Sequence, residues 1–469
     1  MKRIKLYICS LGLLAATTSG CKKFLDVNND PNNPLDVSEN LLLGPAEANV
    51  SNVIASGNTS MLITAWMQQT AQNQAVPNSD VYQVNSGTFS GYWSSFYNVT
   101  LYNLYLLQQK SAKNGNSAYT GIANVLFAYT LGNATDLWGE IPDSKAFQGG
   151  ENLTPAYDSQ QQIYTHLQVL LDSAITQLTA NRGGKKPGKD DFFYKGDLNK
   201  WLKAAYLLKA RFYMHLSKAP GFTATAQADL ALNALQNSMT ANSDDMVFPY
   251  DGSPNSSCPV FQNYSTLSSS TVVLSSKLVD SLVKRNDPRL PKLVAPAPST
   301  GQYNGRIPGD DMPGAIIDYS TPGPFYGSAN SGNYVLNYTE AIFLKAEATL
   351  IKSGYAAASP IYREGIKAHF IKLGIDTTGT AAQAYLAARG YLTAADAWEK
   401  LMDEKATANF LSIENYTDWR RTGYPHLNLV KNAVTTTIPT RFLYPLTERS
   451  SNPQPQQDAK ITDKVWWNQ

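Results

Sequence analysis

The sequence predicts a mainly α protein: a tetratricopeptide-like helix-hairpin scaffold interrupted by one long irregular loop excursion. Three observations predict it. Apolar residues recur at three- and four-residue steps in segment after segment, on both sides of the middle of the chain. Alanines occupy many core-facing positions, as in Ala123-x3-Phe127, and small residues there let helices approach closely. Between Met239 and Asn333 the periodicity stops, and Ser, Gly, Pro and Asn dominate. No long linker or charge block divides the chain, so residues 21–469 are expected to form a single domain, with the excursion at about 239–336.

The elements follow from their own residues. Lys22 to Pro34 is polar, with Asn-Asp-Pro and Asn-Asn-Pro turns, and reads as an extended tether. Residues 41–57 and 61–75 have helix-compatible Ala/Leu/Gln spacing, although Gly44 and Pro45 blur the first. Helical periodicity runs from Tyr92 to Lys110, and from Tyr119 to Trp138 until Gly139 and Pro142 stop it. Tyr157 to Leu178 places Ile163, Leu167, Leu171, Ala174 and Leu178 on one face. Asn199 to Ser217 does the same with Trp201, Ala205, Leu208, Phe212 and Leu216. The excursion holds one expected helix at 274–285. Helices return at 337–353, 358–373, 381–388 and 394–410, before an aromatic, proline-containing C-terminal segment.

The first 21 residues carry a separate message. Lys2, Arg3 and Lys5 precede an apolar core from Leu6 to Ala16, then Thr18-Ser19-Gly20-Cys21. That layout is a secretory signal, with an apolar core too short to span a bilayer. A cysteine directly after the small residues resembles a bacterial lipoprotein signal. On that reading residues 1–20 are removed and Cys21 carries lipid; the alternative is an ordinary signal peptide with an incidental cysteine. Two or more acyl chains would hold the protein on a membrane surface. Cys258 is then the one cysteine left outside signal and anchor, which excludes an intrachain disulfide framework.

Composition limits the remaining function classes. A net charge of +2 with 16% charged residues argues against nucleic-acid binding. The 27 Tyr and 8 Trp, many in polar stretches, suit a contact surface instead. Gly183 to Lys189 has phosphate-loop spacing, but Asp190 stands where a Ser or Thr is needed and a helix precedes it, so it reads as a basic surface loop. His166, His215, His369 and His426 have no metal-ligand spacing, and no Gly-x-Ser-x-Gly elbow is present. Asp310-Asp311 in a Gly/Pro loop could help bind calcium, although a solvated turn is the simpler reading. No catalytic constellation, metal site or cofactor site is expected.

Several segments in order resemble the SusD/RagB family of outer-membrane nutrient-binding lipoproteins, across nearly the whole mature chain. They are Cys21 to Asp26 with Asn29-Asp30-Pro31-Asn32, Asp136 to Pro142, Tyr194 to Asp197 with Lys200-Trp201, Arg285 to Leu290, and Tyr338 to Ala348. Trp419 to Pro425, Ile438 to Pro445 and Val465-Trp466-Trp467 complete the series. Their chemistry reads as scaffold: Arg420 and Arg421 can bond carboxylates or carbonyls where C-terminal loops dock on helices, and Asp197 is placed to cap a helix. The resemblance implies a binding protein, not an enzyme. It would be anchored at the outer membrane and face the cell exterior, as a lid on a TonB-dependent β-barrel transporter (SusC-like) that receives a captured glycan or peptide.

An oligosaccharide is the leading expected ligand, because sugar rings stack on Tyr and Trp while Asn, Asp and Arg satisfy hydroxyls. Two mixed regions offer such groups. The first is Tyr82 to Tyr97, with Tyr82, Asn85, Trp93 and Tyr97. The second is the excursion, with Tyr264, Tyr303, Arg306, Asp310, Tyr326, Asn330 and Tyr334. Tyr303 and Tyr326, flanked by Gly and polar residues, are the favoured pair, and Trp93 is expected to be partly core. Rival readings are a peptide-capturing subunit, a surface glycoside hydrolase with two carboxylates across one cleft, and a lipoprotein that only braces the barrel.

Overall fold

A computed structural model describes residues 37–265, 271–455 and 458–469; the signal segment, Cys21 and the tether to Pro34 lie outside them. Helix α1 (Glu39–Asn49) accommodates Gly44 and Pro45 and continues as a π turn, Val50–Ala55. Helix α2 (Asn58–Trp66) ends well before the expected residue 75. The chain turns there, because Gln68 takes a φ of 54° and Thr70–Gln72 becomes strand β1, paired antiparallel with Val272–Leu274 of the excursion. A backbone ladder to a distant segment thus overrides a helix-compatible pattern.

Helix α3 (Ser90–Ser94), a π turn (Ser95–Leu101) and α4 (Tyr102–Lys113) follow one another directly. Helix α5 (Ser117–Trp138) is buried along almost every residue, as a helix that is apolar all round must be. It packs between α4, α6 (Gln160–Ala180) and α7 (Leu198–His215). Helix α6 starts with a capping box, in which Ser159 Oγ accepts from the Gln162 N–H at 3.3 Å and the Gln162 side chain accepts from the Ser159 N–H at 3.0 Å. Asp197 caps α7 as expected, accepting from the N–H groups of Asn199 and Lys200 at 3.0 and 3.3 Å. Helix α8 (Ala224–Leu235) packs on α7 and on a later helix. The sequence reading contains no helix there, because its buried face is Gln227, Ala228, Ala231 and Ala234 and carries little apolar signal.

The excursion is tied down by three short antiparallel pairs. Strand β1 pairs with β3 (Val272–Leu274), β2 (Met246–Phe248) with β6 (Asn333–Leu336), and β4 (Val294–Ala295) with β5 (Thr321–Pro322). Between them lie α9 (Ser276–Lys284), α10 (Leu290–Leu293) and α11 (Pro324–Gly327). A separate hydrophobic cluster including Cys258, Tyr264, Leu274, Leu282, Leu293 and Tyr326 sits beneath these loops.

Helix α12 (Tyr338–Lys372) breaks at Gly354, whose φ is 81°, which yields the two expected helices end to end. It packs on α8 and on α14, with α13 (Thr380–Arg389) and α14 (Ala397–Ala408) closing a second cluster around Phe343, Tyr362, Phe370, Tyr385 and Leu401. Helices α15 (Glu414–Thr422) and α16 (Leu446–Ser451) complete the chain. The architecture is mainly α and built of helix hairpins of the tetratricopeptide kind, with the excursion and C-terminal loops gathered over it.

Candidate functional site

Most of the aromatic groups expected to meet ligand are spent inside the protein. Tyr82, Trp93, Tyr97, Tyr264, Arg306 and Tyr326 are all buried. Trp93 stacks on Tyr97 at 4.5 Å and meets Trp138 edge-on at 5.2 Å, while the Tyr97 hydroxyl donates to the Pro142 carbonyl at 2.7 Å. Burial pushes the phenols of Tyr82 and Tyr264 up to about 12. Tyr326 packs among Phe325, Tyr334 and Phe410, and the Lys372 ammonium lies 3.8 Å from the centre of the Tyr334 ring. Tyr264 and Tyr326 line a cavity of about 40 Å³, too small for a sugar ring.

Arg306 is a clamp for its own loop. Its guanidinium donates to the carbonyls of Gln72, Met312 and Asp310 at 2.8, 2.9 and 3.0 Å. Asn85 closes a turn by accepting from the Thr88 N–H at 3.2 Å. Five of the expected ligand residues reach the surface: Tyr303, Asp310 and Tyr334 half-buried, Asn85 and Asn330 exposed. Asp310 pairs with Lys431 at 2.7 Å, which holds its carboxyl below the usual range, and Asn432 bonds Asp311. Among the described residues no group of three or more His, Cys, Asp or Glu side chains could hold a metal. The Gly183–Lys189 loop is structural: Lys185 pairs with Glu39 at 3.2 Å, and Asp190 accepts from Tyr119 at 2.7 Å.

The two mixed regions nevertheless meet. A pocket of about 320 Å³ is lined by Tyr92 and Ser95 from the first and by Tyr250, Asn255, Gln262 and Asn263 from the excursion, with Asn52 and Asn58 beside them. Tyr92 lies edge-on to Phe89 at 6.0 Å and near Phe442 at 5.9 Å; Tyr250 leans on Phe248 at 5.3 Å. Both rings are anchored from within and stay half-exposed. The Tyr250 hydroxyl bonds Ser51 Oγ at 2.8 Å and donates to Asn52. Burial raises both phenols above their ordinary range, so they remain neutral donors. Asn263 donates to the Ser56 carbonyl at 3.3 Å, and Gln262 to Ser257 Oγ at 2.8 Å. Ring faces surrounded by amides can hold a polar ligand with apolar C–H faces. Tyr92 follows Ser-Gly and Tyr250 stands between Pro249 and Asp251-Gly252, but Tyr326 beside Gly327 is buried, so such neighbours do not single out the outward rings.

A larger open cleft of about 790 Å³ lies between α9, α14 and the loop 425–431. Ile307 and Pro308 border it, so Arg306 and Asp310 flank the cleft without lining it. Gly309 fixes this rim: its φ is +74°, and a Cβ there would fall 2.0 Å from the Lys431 carbonyl oxygen.

The family model described as "Starch-binding associating with outer membrane" matches residues 31–445. The chain belongs to the SusD-like family. Solved structures agree with this. The SusD-like chain superposes on a chitin-binding protein with a TM-score of 0.78 and 25% identity, covering 92% of this chain and 100% of the other. A SusD/RagB family protein from Bacteroides thetaiotaomicron gives a TM-score of 0.78 at 23% identity, covering 92% and 99%. A chitin-binding SusD homolog from Flavobacterium johnsoniae gives 0.76 at 22%, covering 92% and 98%. No curated protein matches the sequence. The SusD-like family is associated with the outer membrane, and no helix among the described residues is long and apolar enough to cross one.

Proposed function

We propose that this protein is a cell-surface lipoprotein, anchored through Cys21, that captures an oligosaccharide and delivers it to a TonB-dependent outer-membrane transporter without chemical turnover. The observation that carries the reading is the 320 Å³ pocket in which Tyr92 and Tyr250 stand among five amide side chains. Tyrosine faces stack on sugar C–H surfaces, and amides both donate to and accept from hydroxyl and acetamido groups. The chitin-binding relatives make N-acetylglucosamine oligomers the first ligands to try.

Calorimetric titration of the mature chain carrying Cys21→Ser, against chitotriose, maltotriose and xylotriose, tests this reading. Saturable binding is expected for one sugar class, and Tyr250→Ala weakens it by about tenfold, the loss of one stacked ring. Binding unchanged by both Tyr250→Ala and Tyr92→Ala moves the glycan away from this pocket. Release of shorter sugars during the titration would support a hydrolase instead. Co-purification of a β-barrel partner with the lipidated chain, lost in Cys21→Ser membranes, checks the anchor and the delivery step.

A further inference from the structure

The Gly183 to Lys189 loop combines a fixed backbone with exposed cations. It is tied to the turn between α4 and α5: the Arg182 N–H donates to Ser117 Oγ at 2.6 Å, and the Lys185 N–H to Asn116 Oδ1 at 3.2 Å. Gly183 has a φ of +96°, and a Cβ there would fall 2.6 Å from the Gly115 carbonyl oxygen. Pro187 is buried beneath the loop, while Arg182, Lys185, Lys186 and Lys189 are exposed, as is Lys113 on the adjoining turn.

The carboxylates nearby are bonded inward. Glu39 is buried, accepts from Asn114 and Asn116 at 2.7 Å each, and pairs with Lys185. Asp190 accepts from Tyr119, and buried Asp191 accepts from the Trp201 indole at 2.8 Å. Buried Glu47 accepts from the Phe192 N–H at 2.6 Å, and burial together with the Asp191 charge disfavours its ionised form. Further along, exposed Lys195 and Asp197 offset each other. With Lys185 set against Glu39, the cations Lys113, Arg182, Lys186 and Lys189 outnumber Asp190 and Asp191. None of these cations forms an ion pair among the described residues; Lys186 bonds the neutral Asn181 side chain at 2.7 Å. The positive charge is at the surface and the negative charge beneath it.

The loop also holds the start of the folded chain, because its Lys185 grips Glu39 in the first turn of α1. Residues 22–36 separate that turn from Cys21 and reach at most about 55 Å. The amide pocket lies at the other end of the same helical run: α1 and its π turn are continuous from Glu39 to Ala55, which puts Asn52 about 20 Å from Glu39. We propose that Lys113 and the 182–189 loop form a membrane-docking face that binds the phosphate groups of lipid headgroups around the anchor. The inference rests on anchoring through Cys21 and adds lipid contacts made by the protein itself. Each Lys or Arg near an anionic lipid surface strengthens binding about fivefold, so the unpaired cations bring half-binding to roughly millimolar lipid. Being exposed, they are screened by salt.

The test floats the mature Cys21→Ser chain, which has no lipid of its own, with phosphatidylcholine vesicles and with mixed phosphatidylcholine–phosphatidylglycerol vesicles. Flotation is expected with the mixed vesicles alone, and is lost as salt rises. Lys186→Gln combined with Lys189→Gln should weaken it about 25-fold and leave the melting temperature and chitotriose binding as they were. Should that pair disturb folding, Lys113→Gln with Lys189→Gln removes as much charge and should weaken flotation equally. Equal flotation with both vesicles, flotation with neither, or no response to the paired substitutions overturns the proposal. Release by inorganic phosphate beyond that by chloride at equal ionic strength marks a free-phosphate site and overturns it too. The mass of the wild-type chain taken from membranes reads the anchor separately. A chain lipidated at Cys21 whose soluble form ignores both vesicles keeps the anchor and loses the docking face; an unmodified Cys21 removes both.

Discussion

His215 sits at the centre of a buried charge network, fully enclosed. Its Nε2 lies 2.7 Å from Glu414, its Nδ1 2.9 Å from the Tyr164 hydroxyl and 3.4 Å from Asp136. Arg211 bonds Glu340 at 2.6 and 2.7 Å and approaches Glu414 at 3.6 Å. Burial works against the imidazolium, but Glu414 and Asp136 outweigh it and hold His215 up to about 9. Burial likewise opposes the Glu414 carboxylate, yet His215 and Arg211 bring it down to about 2. A raised histidine stabilises fully below its unfolded value near 6.5 and loses that contribution as pH rises through 9. A depressed glutamate stabilises above about 4.5 and loses it as pH falls through 2. The pair is therefore worth most at about pH 5 to 6.5. His215→Gln should cost about 3 kcal/mol there, because a charge is left buried without its partner. Melting temperatures from pH 5 to 9 check this: the wild-type decline on the alkaline side should flatten in the variant, and equal slopes would remove His215 as its source. The sequence offered a histidine in a helix and no sign of its partners, since Asp136 and Glu414 are distant along the chain.

At the scale of elements, close approach decides the helix stack. A Cβ on Gly132 of α5 would meet the Phe212 ring of α7 at 2.5 Å, and one on Gly121 would meet Leu178 of α6 at 2.6 Å. Phe212 is 2% exposed and cannot swing away. Gly132→Ala should therefore destabilise by about 1–3 kcal/mol despite alanine's better helix propensity. Gly150→Ala, where nothing lies within 4 Å, is the control for chemical denaturation, and equal losses in both would overturn the packing account. Which helices were legible follows the same logic. Helices α5, α6 and α7 bury large apolar faces, so periodicity revealed them, and the Gly354 break matched two separate runs. Helix α8 buries alanines. Helix α15 buries Glu414, Asn415, Asp418 and Arg421, with Arg421 bonded to Asp418 at 2.7 Å and to Glu347. Apolar periodicity cannot detect a helix whose inner face is charged.

Over the whole molecule, the C-terminal segment ties early helices to late ones. Trp467, fully buried, donates from its indole to Asp136 at 3.0 Å, and the Arg420 guanidinium lies 4.7 Å from the centre of its ring. Arg441 donates to the Trp138 carbonyl, and Tyr416 to the Pro439 carbonyl at 2.9 Å. Trp467→Ala should cost about 3–5 kcal/mol by leaving a cavity and removing one of the two donors, indole and Tyr164 hydroxyl, that meet Asp136 Oδ1. A single cooperative melt shifted downward is the expected result; an unshifted melt would mean that the tail does not hold the ends together. The recognisable motifs, Asp136 to Pro142, Trp419 to Pro425 and Ile438 to Pro445, meet at this tie, which explains why they identify the family and say little about the ligand. The sequence by itself determined the family, the mainly α class and the location of the irregular excursion, because apolar spacing, turn residues and ordered motifs are local properties. Only the tertiary structure decided which aromatic rings face outward. Trp93, Tyr97 and Tyr326 could not be told from Tyr92 and Tyr250 by their neighbours in sequence, because burial depends on segments hundreds of residues away folding over them.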